Sequence, residues 1–102
     1  MSVILRLVQQ FQPSKKQEFL ALEKQFAALE HQGTLPKGER MLPIAGREAA
    51  NTIIWQGRFE NLCAAEAALK IFETNSEHTE LANQQLPYFK DAWVEFYEVL
   101  DM

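Results

Sequence analysis

The chain has 102 residues, of which 47% are hydrophobic and 24% charged, and its formal net charge is −4. This composition is typical of a folded globular protein, and it excludes a disordered chain because apolar residues are plentiful enough to offset the entropy of ordering. The length favours a single domain over residues 1–102. The acidic excess argues against nucleic acid as a partner, since phosphate binding requires a basic surface.

Targeting, membrane and metal signals are missing. The first residues lack the basic and long apolar regions of a signal peptide, and no apolar run approaches the ~20 residues of a membrane span. We therefore expect a cytoplasmic protein that does not bind membranes. A single cysteine, Cys63, excludes an internal disulfide and a thiolate metal site. Because His31 and His78 share no metal-binding spacing, we expect no metal and no cofactor.

The first third of the chain predicts a strand followed by a helix. Residues 3–11 alternate in the pattern of a strand with one fully apolar face. Ser14, followed three residues later by Gln17, predicts a capping box at the start of a helix over residues 15–32, and Gly33 is placed to end it. One face of this helix is apolar, at Phe19, Leu22, Phe26 and Leu29.

Three further strands are predicted. Residues 41–45 form a short one, and Pro43 places it at a sheet edge because proline cannot donate to a strand ladder. Residues 51–59 and 92–100 are rich in β-branched and aromatic residues and predict the third and fourth strands.

Two helical segments lie between these last strands. Asn61 is a good N-cap for a helix whose apolar positions are Leu62, Ala65, Leu69 and Phe72. A further short helix, capped by Thr74 or Ser76, is predicted to end before Pro87.

The order β-α-β-β-α-β predicts a ferredoxin-like α+β fold, with an antiparallel sheet in the order 4-1-3-2 and the helices on one face. The helices are expected to cover Val3, Leu5, Leu7, Ile53, Trp55, Phe59, Val94, Phe96 and Leu100. The other face carries Ile4, Val8, Ile54, Trp93, Tyr97 and Val99 among polar residues. This face is too apolar for water, so we expect a homodimer formed through it.

The element order, the amphipathic open face and the closing segment 93–100 resemble the dimeric α/β-barrel superfamily, in which two ferredoxin-like subunits pack sheet against sheet. Within it the chain looks most like NIPSNAP-like and antibiotic-biosynthesis-monooxygenase-like proteins, with Ser76-Glu77-His78 on a helix and Leu86-Pro87 before the final strand. The resemblance implies a homodimer that encloses a cavity. The superfamily includes cofactor-free oxygenases, haem-degrading enzymes and isomerases, so the fold does not choose an activity.

Six polar residues on the predicted open face form the candidate ligand site: Arg6, Gln10, Gln56, Arg58, Glu95 and Tyr97. Two guanidinium groups there would suit a carboxylate or an enolate, and Glu95 would act as a base where burial raises its pKa. The alternative, which we favour, is a structural ion pair between Glu95 and either Arg6 or Arg58 across the strands.

A second candidate group comes from the resemblance to the haem-degrading branch, which uses an Asn on the first strand, a Trp and a His that binds iron. This chain has Gln9 and Gln10 on its first strand, and Trp55 is predicted to face the helices. His78 stands in a polar run, which favours a solvated surface residue. Cys63 is interpreted as a small buried residue.

The sequence therefore predicts a protein that binds a small organic molecule in a cavity between two sheets. The first alternative is a cofactor-independent monooxygenase or isomerase acting on a small aromatic or enolisable compound. The second is a non-catalytic structural dimer, which the lack of any nucleophile, phosphate-loop or dinucleotide motif supports.

Overall fold

One antiparallel sheet and three helices make up the structure, a computed structural model that describes residues 1–102. The strands are β1 (Ser2–Phe11), β2 (Glu39–Met41), β3 (Thr52–Phe59) and β4 (Phe89–Val99), and the helices are α1 (Lys16–His31), α2 (Leu62–Thr74) and α3 (Ser76–Gln85). The sheet order is β2-β3-β1-β4, which is the predicted order 4-1-3-2 read from the opposite edge. The predicted ferredoxin-like fold is confirmed, and no helix is long and apolar enough to cross a membrane.

The central strand β1 pairs with β3 on one side and with β4 on the other. Leu5 lies opposite Gly57 and Phe96, and Leu7 lies opposite Trp55 and Val94, so these side chains share the helix side of the sheet. The main core forms there, where the sheet meets the helices: Val3, Leu5, Phe26, Leu29, Leu35, Trp55, Ala65, Ala68 and Phe72. The predicted position of Trp55 against the helices is confirmed.

Some of the residues predicted to cap the helices do so, and others do not. The Asn61 side chain accepts a hydrogen bond from the backbone N–H of Ala64 at 2.8 Å, so it caps α2 as predicted. Gly33, which follows the C-cap residue Gln32 of α1, has a positive φ of 83°, a conformation that glycine adopts without steric cost. The capping box was wrong, because residues 13–15 form a 3-10 turn and no side chain caps α1. Asn75 caps α3 instead of either predicted residue.

The prediction for β2 over residues 41–45 was wrong in its bounds. Glu39 pairs with Gln56 and Met41 with Ile54, and the strand ends there. Pro43 explains the early end, because it lacks the N–H that a ladder needs and restricts the residue before it. The chain that follows lies near the sheet face remote from the helices. Val8 and Ile54 on this face are consequently buried within a single chain, where the sequence left them open.

The helices cover less of the sheet than predicted. Val94 is 45% exposed, Phe96 39% and Leu100 65%, so the expectation that helices bury them was wrong. The reason is that α2 lies over β1 and β3. Of the edge strand β4, the first residue, Phe89, packs edge-on against Phe19 of α1, whereas Val94 and Phe96 further along stay exposed. Cys63 was also misplaced, since it lies on the solvent side of the first turn of α2 and is exposed.

Candidate functional site

A cavity of about 300 Å³ lies between the helices and the sheet, and we call it the helix-side cavity. Strand β4 lines its outer side with Phe89, Ala92, Trp93 and Val94. Its walls include apolar and weakly polar side chains from all three helices and three strands: Leu7, Gln9, Phe26, Trp55, Leu69, Phe72, His78, Ala82 and Val94. The same lining also contains four charged or polar side chains: Glu23, Glu30, Arg40 and Gln85.

The charged group is a triad in which the half-buried Arg40 of β2 bridges two buried carboxylates of α1, and we call it the buried triad. Arg40 Nε lies 2.7 Å from Glu23 Oε2, and Arg40 Nη2 contacts Glu30 Oε2. The two glutamates are only 4% and 2% exposed, and their remaining oxygens accept hydrogen bonds. Gln85 Nε2 donates to Glu23 at 2.9 Å, and Trp55 Nε1 donates to Glu30 at 3.2 Å. Each carboxylate oxygen therefore has a donor, as buried charges require.

The guanidinium of Arg40 stays charged inside this triad. Burial acts to lower its pKa, but the hydrogen bonds and charges of Glu30 and Glu23 outweigh burial and raise the pKa above its ordinary value. The sequence does contain a signal for the triad. Glu23 and Glu30 are seven residues apart and lie within the apolar face of α1, where charged side chains need a partner.

His78 lies against two aromatic rings of the cavity wall. Its ring centroid is 4.8 Å from that of Phe26 and 5.4 Å from that of Phe72, and the side chain is half-buried. The prediction of a solvated surface residue was therefore wrong. Burial lowers the pKa of this imidazole below its ordinary value, against a smaller opposing effect of Glu30. His78 is consequently neutral at neutral pH.

The lowered pKa of His78 makes stability depend on pH. Below about pH 6.5 the unfolded chain takes up a proton at this histidine more readily than the folded chain. We therefore expect the free energy of unfolding to fall as the pH drops below this value, down to the folded-state pKa. Urea unfolding at about pH 5.5 and about pH 7.5 would measure the fall. The variant His78→Leu should lose this part of the pH dependence, while His31→Gln should keep it; equal profiles for all three proteins would contradict the prediction.

Three of the six predicted site residues come together on the opposite face of the sheet. Arg6 Nη1 lies 3.4 Å from Glu95 Oε1, and the Tyr97 hydroxyl donates to the same oxygen at 3.0 Å. Trp93 Nε1 donates to the other oxygen of Glu95, also at 3.0 Å. The cross-strand ion pair that we favoured is thus present between Arg6 and Glu95. Arg6, Glu95 and Tyr97 line a sheet-face cleft of about 400 Å³, together with Val8, Ile54 and residues of the segment 41–48.

The other three predicted residues do not join this group. Gln56 lies opposite Arg6 on the neighbouring strand, but it lines a separate shallow cleft together with Arg58. Gln10 lies nearer the end of β1, opposite Thr52 and Asp91. The sheet face therefore carries a self-paired cluster and two separate polar positions, instead of one converging set.

The helix-side cavity instead brings together residues that we did not expect to share a site. Gln9, Trp55 and His78 all line it, although they come from β1, β3 and α3. The Trp55 indole meets Phe72 edge-on, with ring centroids 5.0 Å apart, so its ring is fixed in the wall. No group of three or more His, Cys, Asp or Glu side chains is arranged to hold a metal ion.

Comparison with known proteins places the fold. No protein-family model and no curated protein match the chain. A NIPSNAP family protein from Agrobacterium tumefaciens has a TM-score of 0.79 at 10% identity, covering 98% of this chain and 87% of that one. An uncharacterized NIPSNAP domain protein from Burkholderia xenovorans has a TM-score of 0.76 at 13% identity, covering 99% and 96%. An antibiotic biosynthesis monooxygenase has a TM-score of 0.72 at 13% identity, covering 96% and 98%. The chain thus shares the fold of NIPSNAP and antibiotic biosynthesis monooxygenase structures, and the predicted resemblance is confirmed at the level of the fold.

Proposed function

We propose that the protein binds a small, largely apolar organic molecule in the helix-side cavity. The observation that carries this proposal is a cavity of about 300 Å³ with aromatic walls and a few polar groups on the same lining. This combination is characteristic of small-molecule sites, because apolar walls supply affinity and isolated polar groups fix the orientation. The proposal moves the binding site from the space between two sheets, where the sequence put it, to the opposite side of the sheet.

The polar groups of the sheet-face cleft and of the helix-side cavity differ in how far they are already hydrogen-bonded, and this difference favours the cavity as the binding site. On the sheet face, Glu95 already accepts hydrogen bonds from Trp93 and Tyr97 and pairs with Arg6. Of this cluster only the buried Nε of Arg6 lacks a partner, so a ligand there would have to compete with Glu95 for the guanidinium. In the helix-side cavity, the imidazole of His78 packs against the rings of Phe26 and Phe72 and makes no hydrogen bond within the protein. Its nitrogens are available to a ligand.

Filling the cavity should abolish binding. Ala82 of α3 lines the cavity, and Ala82→Phe would place a ring in the space. We expect benzyl alcohol, a neutral aromatic probe, to shift the indole N–H signal of Trp55 in NMR titrations of the unaltered chain. In Ala82→Phe its affinity should fall at least about tenfold.

The matched control is Ala67→Phe, because Ala67 is exposed on α2 and does not line the cavity. This variant should bind the probe as the unaltered chain does. A titration in which the Trp55 signal does not respond, or in which Ala82→Phe binds unchanged, would contradict the proposed site.

We also propose that the chain forms a homodimer through the sheet face remote from the helices. Tyr97 on that face is 44% exposed, and the loop after β2 adds the fully exposed Ile44. A second copy would remove these apolar groups from water. Light scattering at micromolar concentration should give twice the chain mass of 11.8 kDa, and the mass of a single chain would contradict the proposal. Monooxygenase or isomerase activity stays a prediction.

A further inference from the structure

We infer that the helix-side cavity selects a positively charged ligand, namely a small aromatic amine in its protonated form. The inference rests on the proposed function and adds the chemical class of the ligand. Three features of the cavity carry it: the net charge of the buried triad, the protonation state of His78, and the aromatic walls.

The buried triad carries one uncompensated negative charge. Glu23 and Glu30 contribute two carboxylates, and Arg40 contributes a single guanidinium that is shared between them. Arg40 is the only Lys or Arg in the cavity lining, and the additional acidic residue Glu73 lies at the same lining. A charge in a poorly hydrated site acts on a neighbouring ion more strongly than a charge in water does. The electrostatic potential in the cavity is therefore negative.

His78 does not neutralise this charge. It is the one other ionisable side chain of the lining that could become positive, and it is neutral at neutral pH. A neutral imidazole can accept a hydrogen bond from an ammonium group. The cavity thus offers a nearby negative charge and an acceptor, but no free cation that would pair with a carboxylate ligand.

The aromatic walls favour the same ligand class. Phe26, Trp55 and Phe72 line the cavity, and the π faces of such rings attract cations and repel anions. An aromatic amine would place its ring against these walls and its ammonium group against the His78 imidazole, close enough to feel the charge of Glu30 while Glu30 keeps its donors Arg40 and Trp55. This is the opposite of the carboxylate or enolate that the sequence suggested for the arginines of the sheet face.

Three ligands of nearly the same size test the inference: benzylamine, benzyl alcohol and benzoate, titrated into the unaltered chain at about pH 7.5 while the Trp55 indole signal is followed. We expect benzylamine to bind at least about tenfold more tightly than benzyl alcohol, and benzoate more weakly than either. If benzyl alcohol binds and benzylamine is no tighter, the charge selectivity is wrong while the proposed function stands. If none of the three binds, both fail.

A variant of the triad gives a second, independent readout. Glu30→Gln removes one carboxylate charge but keeps an oxygen that can accept from Trp55. The affinity for benzylamine should fall about tenfold, while that for benzyl alcohol should stay the same. The control is Glu66→Gln, which removes an exposed carboxylate of α2 that does not line the cavity. An equal loss for the amine and the alcohol in Glu30→Gln would overturn the electrostatic explanation.

Discussion

Replacing Arg40 with methionine should lower the free energy of unfolding by about 3–5 kcal/mol, because the change leaves two buried carboxylates without their cation. Glu23 and Glu30 are almost fully buried, and each would keep only one neutral donor, from Gln85 and Trp55 respectively. The methionine retains much of the arginine's apolar stem, so the loss reports on charge more than on packing. Urea denaturation at neutral pH measures it.

Two comparisons separate the triad from a general effect of losing an arginine. Arg47→Met removes an arginine that is exposed in the loop after β2 and should change stability by less than about 0.5 kcal/mol. Adding Glu23→Gln and Glu30→Gln to Arg40→Met removes the unpaired charges and should restore most of the loss. A cost for Arg40→Met as small as that for Arg47→Met would mean that the triad is not buried in solution.

Gly38→Ala adds a single methyl group, and we expect it to lower the free energy of unfolding by about 1–3 kcal/mol through overpacking. A Cβ at this position would meet the indole of Trp55 and lie 2.7 Å from the backbone oxygen of Gln56. The indole cannot move aside easily, because it packs edge-on against Phe72 and donates to Glu30. Thermal and urea unfolding of the variant would show the loss.

The neighbouring change Lys37→Ala is the control, since Lys37 is exposed and its truncation should cost little. The cause can be isolated by repeating Gly38→Ala in a Trp55→Phe background, where the smaller ring leaves room for the methyl group. The cost of the glycine substitution should be smaller in that background. An unchanged cost would show that the indole is not what the methyl group meets.

The sheet and its order were predictable because they depend on local periodicity and short connections. Alternation along β1 and β3 placed Trp55 on the helix side correctly, and the same logic paired Arg6 with Glu95. The expected burial of Val94 and Phe96 failed for a different reason. Alternation assigns a side chain to a face, but it does not tell how far the helices extend across that face.

The helix-side cavity was not predictable in the same way, because its residues come from separate elements. His78 stands among polar neighbours in the sequence, and only the packing of α3 brings its ring against Phe26 and Phe72. Arg40 stands in a loop-like segment with no apolar periodicity, so nothing local links it to Glu23 and Glu30. Such a contact depends on how β2 and α1 lie relative to each other, which is a property of the whole fold.

The two edges of the sheet are very different, and this difference limits how the sheet can grow. The edge at β2 offers three residues and is followed closely by Pro43, whereas the edge at β4 offers eleven residues with apolar side chains on both faces. A strand that adds to this sheet would therefore add at β4. Two copies joined there would form an edge-to-edge pair, distinct from the sheet-face homodimer proposed above, and would present only their short β2 edges to the outside. An open fibre requires each chain to have two edges that can pair with another chain. Because each chain has only one such edge, the asymmetry allows two copies to pair but opposes a fibre.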